Sequence, residues 1–208
     1  MGELLEIHPK DPQPRRIGMV IDVLRQGGVV VFPTDSIYAI GCRLGDKAAM
    51  ERIRRVRGLQ RKHLFTMVCR DLSEIATYAR VDNQSYRLIR SMTPGPFTFI
   101  LPATKQVPKR LQHPRRRTVG IRLPTHPVPR AMLEGLDEPL LSSTMKLAGD
   151  AVPLTEPYEI FERVGADVDL VIDAGSCGIE PTSVIDLVGQ APEVLRQGMG
   201  DVGHLLRV

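Results

Sequence analysis

The sequence contains no tryptophan, and only 4% of its 208 side chains are aromatic. Proteins that hold single strands by stacking successive bases need aromatic platforms, so that mode of nucleic-acid recognition is disfavoured. Cysteine is also scarce: Cys42, Cys69 and Cys177 are an odd count, widely spaced and without a CxxC pair. This speaks against a disulfide framework and a cysteine zinc site, and it suits a reducing compartment. No run of 18 apolar residues occurs, which argues against a transmembrane helix. The opening MGELLEIHPKDPQ is neither basic nor apolar, so no secretory leader and a cytoplasmic location are expected. The signatures GxGxxG, GxxxxGK(S/T), HExxH and GxSxG are all missing. The five histidines (His8, His63, His113, His126, His204) lack ligand spacing, so no protein-held metal is expected.

One further shortage is local. Between Lys105 and Arg130 there is no carboxylate. Residues 52–130 carry 18 basic and 3 acidic side chains, a net charge of +15, while residues 131–208 carry 4 basic and 14 acidic ones, a net −10. Segregation on this scale is a footprint for polyanions such as nucleotide phosphates or nucleic acid. Arg54, Arg55, Arg61, Lys109, Arg110, Arg115, Arg116 and Arg117 are the candidate contacts to an RNA backbone. The competing reading is a solvated basic face paired with the acidic C-terminal third.

No internal repeat or Gly/Ser linker interrupts the chain, so one domain over 1–208 is expected. Helices are predicted over 15–26, 46–56, 72–79, 84–92, 128–136 and 157–164 from their apolar spacing. Strands are predicted over 29–32, 37–42, 65–69, 97–101, 119–123, 139–143, 169–172, 183–187 and 193–196. The alternation is irregular and several strands run consecutively, which predicts a mixed, twisted α/β sheet. The stretch 102–117 reads as the segment with least order.

Hydroxyls and bases gather at the ends of these strands. Thr34, Asp35 and Ser36 follow the buried run Val29–Phe32, and ligands in open α/β sheets bind beyond strand ends. A tight turn explains the same residues. Ser142, Ser143, Thr144 and Lys146 follow another strand, Thr182 and Ser183 open one, and Arg196 closes one. Together they describe a polar, cationic crevice without a dedicated acid/base pair, which suits phosphoanhydride or adenylate chemistry.

Six ordered motifs then resemble the YrdC/YciO family: Gly27 to Cys42 (GGVVVFPTDSIYAIGC), Pro94–Thr98 (PGPFT), Gly120–Pro124 (GIRLP), Ser142–Thr144, Pro181–Asp186 (PTSVID) and Arg196–Gly198. The resemblance covers essentially the whole chain. It implies a single-domain α/β fold of the YrdC/RibB type, with a twisted mixed sheet around a concave basic surface. It also implies threonylcarbamoyl-AMP synthase-like chemistry on L-threonine, bicarbonate and ATP, in connection with the threonylcarbamoyladenosine modification of tRNA. Mg²⁺ would accompany the ATP phosphates, and tRNA or double-stranded RNA would be the macromolecular partner.

By the same resemblance, Thr34, Ser36, Tyr38 and Thr98 would hold the amino-acid or carbamoyl end. Arg57, Lys62, His63 and Lys146 would face the phosphates with Ser142 and Thr144, and Ser183 and Arg196 would border the nucleotide. The chain departs from the synthase pattern at Arg57–Gly58–Leu59, where synthases resemble Lys-x-Arg, and at Thr144–Met145–Lys146, where they resemble Ser-x-Asn. Both departures, and the opening Ile7–Pro14, are similar to the YciO branch. An enzyme acting on the adenylate in either direction and a non-catalytic RNA-binding module both stay open.

Overall fold

A computed structural model describes residues 2–206. Ten strands form one mixed sheet in the order β1-β8-β2-β3-β7-β4-β6-β5-β9-β10. They are β1 (Glu3–Glu6), β2 (Val30–Phe32), β3 (Ala39–Arg43), β4 (Thr66–Val68), β5 (Phe97–Pro102), β6 (Thr118–Arg122), β7 (Leu140–Thr144), β8 (Leu170–Asp173), β9 (Ser183–Asp186) and β10 (Glu193–Arg196). Six α-helices accompany them: α1 (Pro14–Arg25), α2 (Lys47–Arg57), α3 (Leu72–Tyr78), α4 (Asn83–Met92), α5 (Pro127–Leu136) and α6 (Pro157–Val164). The expected single-domain twisted α/β sheet is therefore present. Among the described residues no helix is long and apolar enough to cross a membrane.

Local chemistry explains the helix starts. Asp46 accepts from the Ala49 amide at 2.9 Å, Asp71 from Glu74 at 2.8 Å and Asp82 from Ser85 at 2.8 Å, each satisfying a donor that the first helical turn leaves free. Pro14, Pro127 and Pro157 occupy first helical positions, where the missing amide costs nothing. Helix α2 ends at Gly58, whose φ of 63° is left-handed.

The two faces of the sheet are covered unequally. Ile40, Met67, Phe99, Ile121, Leu141, Val171 and Ile185 point to one face, where α2, α3, α4 and α6 add Ile53, Ile75, Ile89 and Ile160. Each such residue, fully buried, contributes about 1.5–3 kcal/mol. On the other face, α1 and α5 pack with Leu5, Val30, Phe32, Ala39, Val68, Leu140, Leu170 and Ile172. That leaves the middle of this face open from β7 across to β9.

Two features depart from expectation. β1 pairs in parallel with β8 at the sheet edge, and its four residues are too short to show a period. The stretch 102–117 is ordered. Buried Val107 and Leu111 plug it into the core, a 3-10 turn spans Lys109–Leu111, and Thr104 and Ala103 bond back to Tyr78 and Arg117. The density of charge masked two apolar anchors.

Candidate active site

A cavity of about 280 Å³ opens where the α1–α5 cover stops. Its floor follows one row of cross-strand partners: Ser142 on β7, Thr66 on β4, Gly120 on β6 and Ile100 on β5. Gly120 raises no side chain there. A Cβ on it would stand 3.4 Å from Ile100 Cδ1, 3.6 Å from Thr98 Cγ2 and 3.8 Å from Thr66 Oγ1, in the middle of the floor. Small and hydroxyl-bearing residues thus create the concavity in a sheet otherwise lined by bulky chains.

The rim beside β2 is the turn 33–37. Thr34 Oγ1 accepts from the Ser36 and Ile37 amides, each at 3.2 Å, and donates to Ile37 O at 2.6 Å. Thr34 is fully used in closing this turn and does not line the cavity; Ser36 does. The turn also presents Asp35 to Arg122, at 2.8 Å from Oδ1 to Nη2. Arg122 lines the cavity, and burial lowers its pKa against the opposing pull of Asp35. Arg122 Nε and Asp35 Oδ2 are buried with no hydrogen-bond partner among the described residues.

The wall on the β9 side joins Thr98 and Thr182, whose hydroxyls lie 2.8 Å apart. Arg196 donates from Nε and Nη2 to Thr182 O at 3.0 and 2.8 Å, which aims its guanidinium over the same wall. Opposite stand Arg57, His63, Ser143 and Thr144. Arg57 donates through Nε to Lys146 O at 3.0 Å and through Nη1 to Ser143 Oγ. His63 Nε2 lies 2.9 Å from the same Ser143 oxygen. Burial, then the charges of Arg57 and Arg54, hold His63 below its ordinary pKa, so the ring is neutral at pH 7. Burial also lowers the pKa values of Arg57 and Arg196, but a guanidinium stays protonated throughout the physiological range. Three arginines therefore ring the cavity, and no carboxylate lines it among the described residues.

Of the residues expected at the site, Ser36, Thr98, Arg57, His63, Ser142, Thr144 and Arg196 meet at this cavity. Five others lie off its lining. Besides Thr34, Tyr38 points to the opposite face, because strand neighbours alternate. There it is fully buried and donates to Gly175 O at 2.7 Å. Lys146 turns its ammonium to Ala151 O at 2.8 Å, Lys62 is exposed, and Ser183 Oγ donates to Gly200 O at 2.6 Å. Ser183 instead pins the turn that follows Arg196.

The cavity also takes in Ser143 and Thr182, which the sequence placed in the crevice without a role, and Arg122 and Thr66, which it did not place there. A signal existed in the single polar side chains alternating with apolar ones in Thr66–Met67–Val68 and Gly120–Ile121–Arg122.

The candidate RNA contacts divide as well. Arg55, Arg61, Lys109, Arg115 and Arg117 are exposed. Arg54 is not a free surface cation: its side chain is 12% exposed, pairs with Glu51 and lies 5.2 Å over the Phe65 ring. Arg110 donates to Gly45 O and Arg116 to Asp186. The buried thiols behave as small apolar groups, with burial pushing Cys42 up to about 12.

Fold and cavity together define an α/β domain with a cavity of hydroxyls and three arginines on the uncovered half of its sheet. The Sua5/YciO/YrdC family model, described as telomere recombination, matches residues 22–198, and the chain belongs to this family. It is 49% identical to the Escherichia coli protein YciO, described as uncharacterized, over 99% of this chain and all of that one. The YciO crystal structure superposes with a TM-score of 0.94 at 48% identity, again over 99% and 100% of the two chains. P. abyssi Sua5 complexed with L-threonine matches with a TM-score of 0.86 at 23% identity, covering 94% of this chain and 57% of Sua5. Full-length HypF in a phosphate- and nucleotide-bound form matches with a TM-score of 0.74 at 19% identity, covering 88% of this chain and 29% of HypF. These last two likenesses bear on the fold.

Proposed function

We propose that the cavity holds threonylcarbamoyl-adenylate, and that the protein forms it from L-threonine, bicarbonate and ATP or breaks it down, in connection with tRNA threonylcarbamoyladenosine modification. The observation that carries this reading is a floor of hydroxyls ringed by Arg57, Arg122 and Arg196 without a lining carboxylate. In synthesis, the carbamate oxygen of N-carboxythreonine displaces pyrophosphate from the α-phosphorus of ATP. In hydrolysis, water takes the place of that carbamate. Either step builds negative charge on phosphoryl oxygens, so fixed cations and positioning supply most of the catalysis.

Each group has a fitting task. Ser36, Thr98 and Thr182 offer hydroxyls to the amino-acid end, and Ser142, Thr66 and Thr144 to the linkage. Arg196 and Arg57 face the phosphates, and Arg122, which lines the cavity beside Asp35, adds its charge there. ATP brings its own Mg²⁺ with the phosphates. The presence of bound L-threonine in Sua5, and of phosphate and nucleotide in HypF, supports this reading.

The test uses two tubes of purified protein. One receives threonine, bicarbonate and ATP-Mg²⁺; the other receives preformed threonylcarbamoyl-adenylate. Product in the first establishes a synthase, and consumption only in the second establishes a hydrolase on the same intermediate. Silence in both, with no nucleotide binding, overturns the reading.

One observation favours a second role. Arg57 spends two donors on Lys146 O and Ser143, and Leu59 stands where synthases resemble a second cation. With the net +15 segment, this suits a tRNA- or double-stranded-RNA-binding module without turnover. Its affinity falls steeply with salt; a flat salt response removes its basis.

A further inference from the structure

The ordered loop 103–117 encloses a second recess, of about 620 Å³, that shares no lining residue with the central cavity. Arg80, Lys105, Lys109, Arg116 and Arg117 line it together with His113, and no carboxylate lines it among the described residues. Only Arg116 is neutralised, by Asp186. The side chains of Arg80, Lys105, Lys109 and Arg117 make no hydrogen bond or ion pair among the described residues. Four unpaired like charges around one recess repel one another, and a multivalent anion relieves that repulsion.

The recess is built rather than loose. Buried Val107 and Leu111 anchor its rim. Arg117 is held in the left-handed region at φ 52° by bonds from its amide to His113 O and to its carbonyl from Ala103. Such a conformation costs a non-glycine residue roughly 1–2 kcal/mol, and it is over-determined here by the surrounding bonds. His113 Nδ1 accepts from the Arg115 and Arg116 amides at 3.3 and 3.1 Å. The neutral ring therefore carries its proton on Nε2, as a further donor.

We propose that this recess is a second binding site, for a compact polyphosphate or phosphorylated small molecule. Its volume falls within the roughly 300–1,000 Å³ of small-molecule sites. The cations converge around one concavity, which fits a single compact anion better than the repeated phosphates of a duplex.

The probe is inorganic tripolyphosphate, titrated into the full chain by calorimetry, with amide chemical shifts followed over residues 103–118. Saturable binding that moves those amides is expected. The double variant Arg117→Gly, Lys105→Ala should weaken it at least about tenfold, since glycine keeps the Arg117 backbone while removing its charge. The surface pair Lys105→Ala, Lys109→Ala serves as the check if that variant melts early. Arg196→Ala, at the central cavity, should leave these shifts unchanged. ATP run beside tripolyphosphate tells a nucleotide from an inorganic source, and binding of either that moves the 103–118 amides supports the site. Undiminished affinity in both double variants, shifts confined to the central cavity, or duplex RNA binding without any response to either phosphate compound would overturn the proposal.

Discussion

Arg122 and Asp35 form an ion pair at 2.8 Å in which the side chains are 8% and 7% exposed. It ties the end of β6 to the turn after β2, and so joins two walls of the cavity through one contact.

Breaking this pair from one side leaves an uncompensated buried charge. Asp35→Ala should therefore lower unfolding free energy by about 3–5 kcal/mol, measured by chemical denaturation. Joint replacement of both residues by apolar ones of similar size should recover much of that loss. An Asp35→Ala protein of unchanged stability would show that the pair carries no such weight.

Acid should destabilise the fold below the ordinary histidine range. Burial holds both His63 and His126 below the usual 6.5, so the native state keeps them neutral while the unfolded chain takes up protons first. Stability is then present above about pH 6.5 and falls as pH drops through the depressed native values. The Tm should decline as pH is lowered below about 6.5, and His63→Gln should flatten part of that decline.

Gly120→Val fills the cavity floor without disturbing the opposite core. β-Branched residues suit strands, so the Tm should hold or rise. Adenylate or threonine binding, measured by calorimetry, should fall at least about tenfold, the cost of about 1.4 kcal/mol. Unchanged binding would place the ligand elsewhere.

Gly58→Ala tests the turn that delivers His63. At φ 63°, with a Cβ only 2.9 Å from Ala148 Cβ, alanine should cost about 1–2 kcal/mol. The same variant should perturb the His63 ring resonances, because the loop it anchors carries that residue.

Much of this molecule is readable along the chain. Apolar runs such as Val30–Phe32 and the capping aspartates Asp46, Asp71 and Asp82 are local signals, because burial and amide capping act over a few residues. Six motifs in fixed order were enough to point to the family and its sheet. The +15 middle segment likewise needed only counting.

Which side chains meet was a different matter. Whether Thr34 closes a turn or faces a ligand, and whether Tyr38 or Ala39 points to the open face, depends on register. A one-residue step along a strand reverses the face. Arg122 and Asp35 are 87 residues apart and Arg57 and Ser143 are 86 apart, so their pairing follows from strand order and from no local pattern. The cavity itself is an absence, the half of one sheet face that α1 and α5 do not reach. The sequence by itself determined most of the elements, the family and the charge; only the tertiary structure decided where the sheet stays open and which charges stand around the opening.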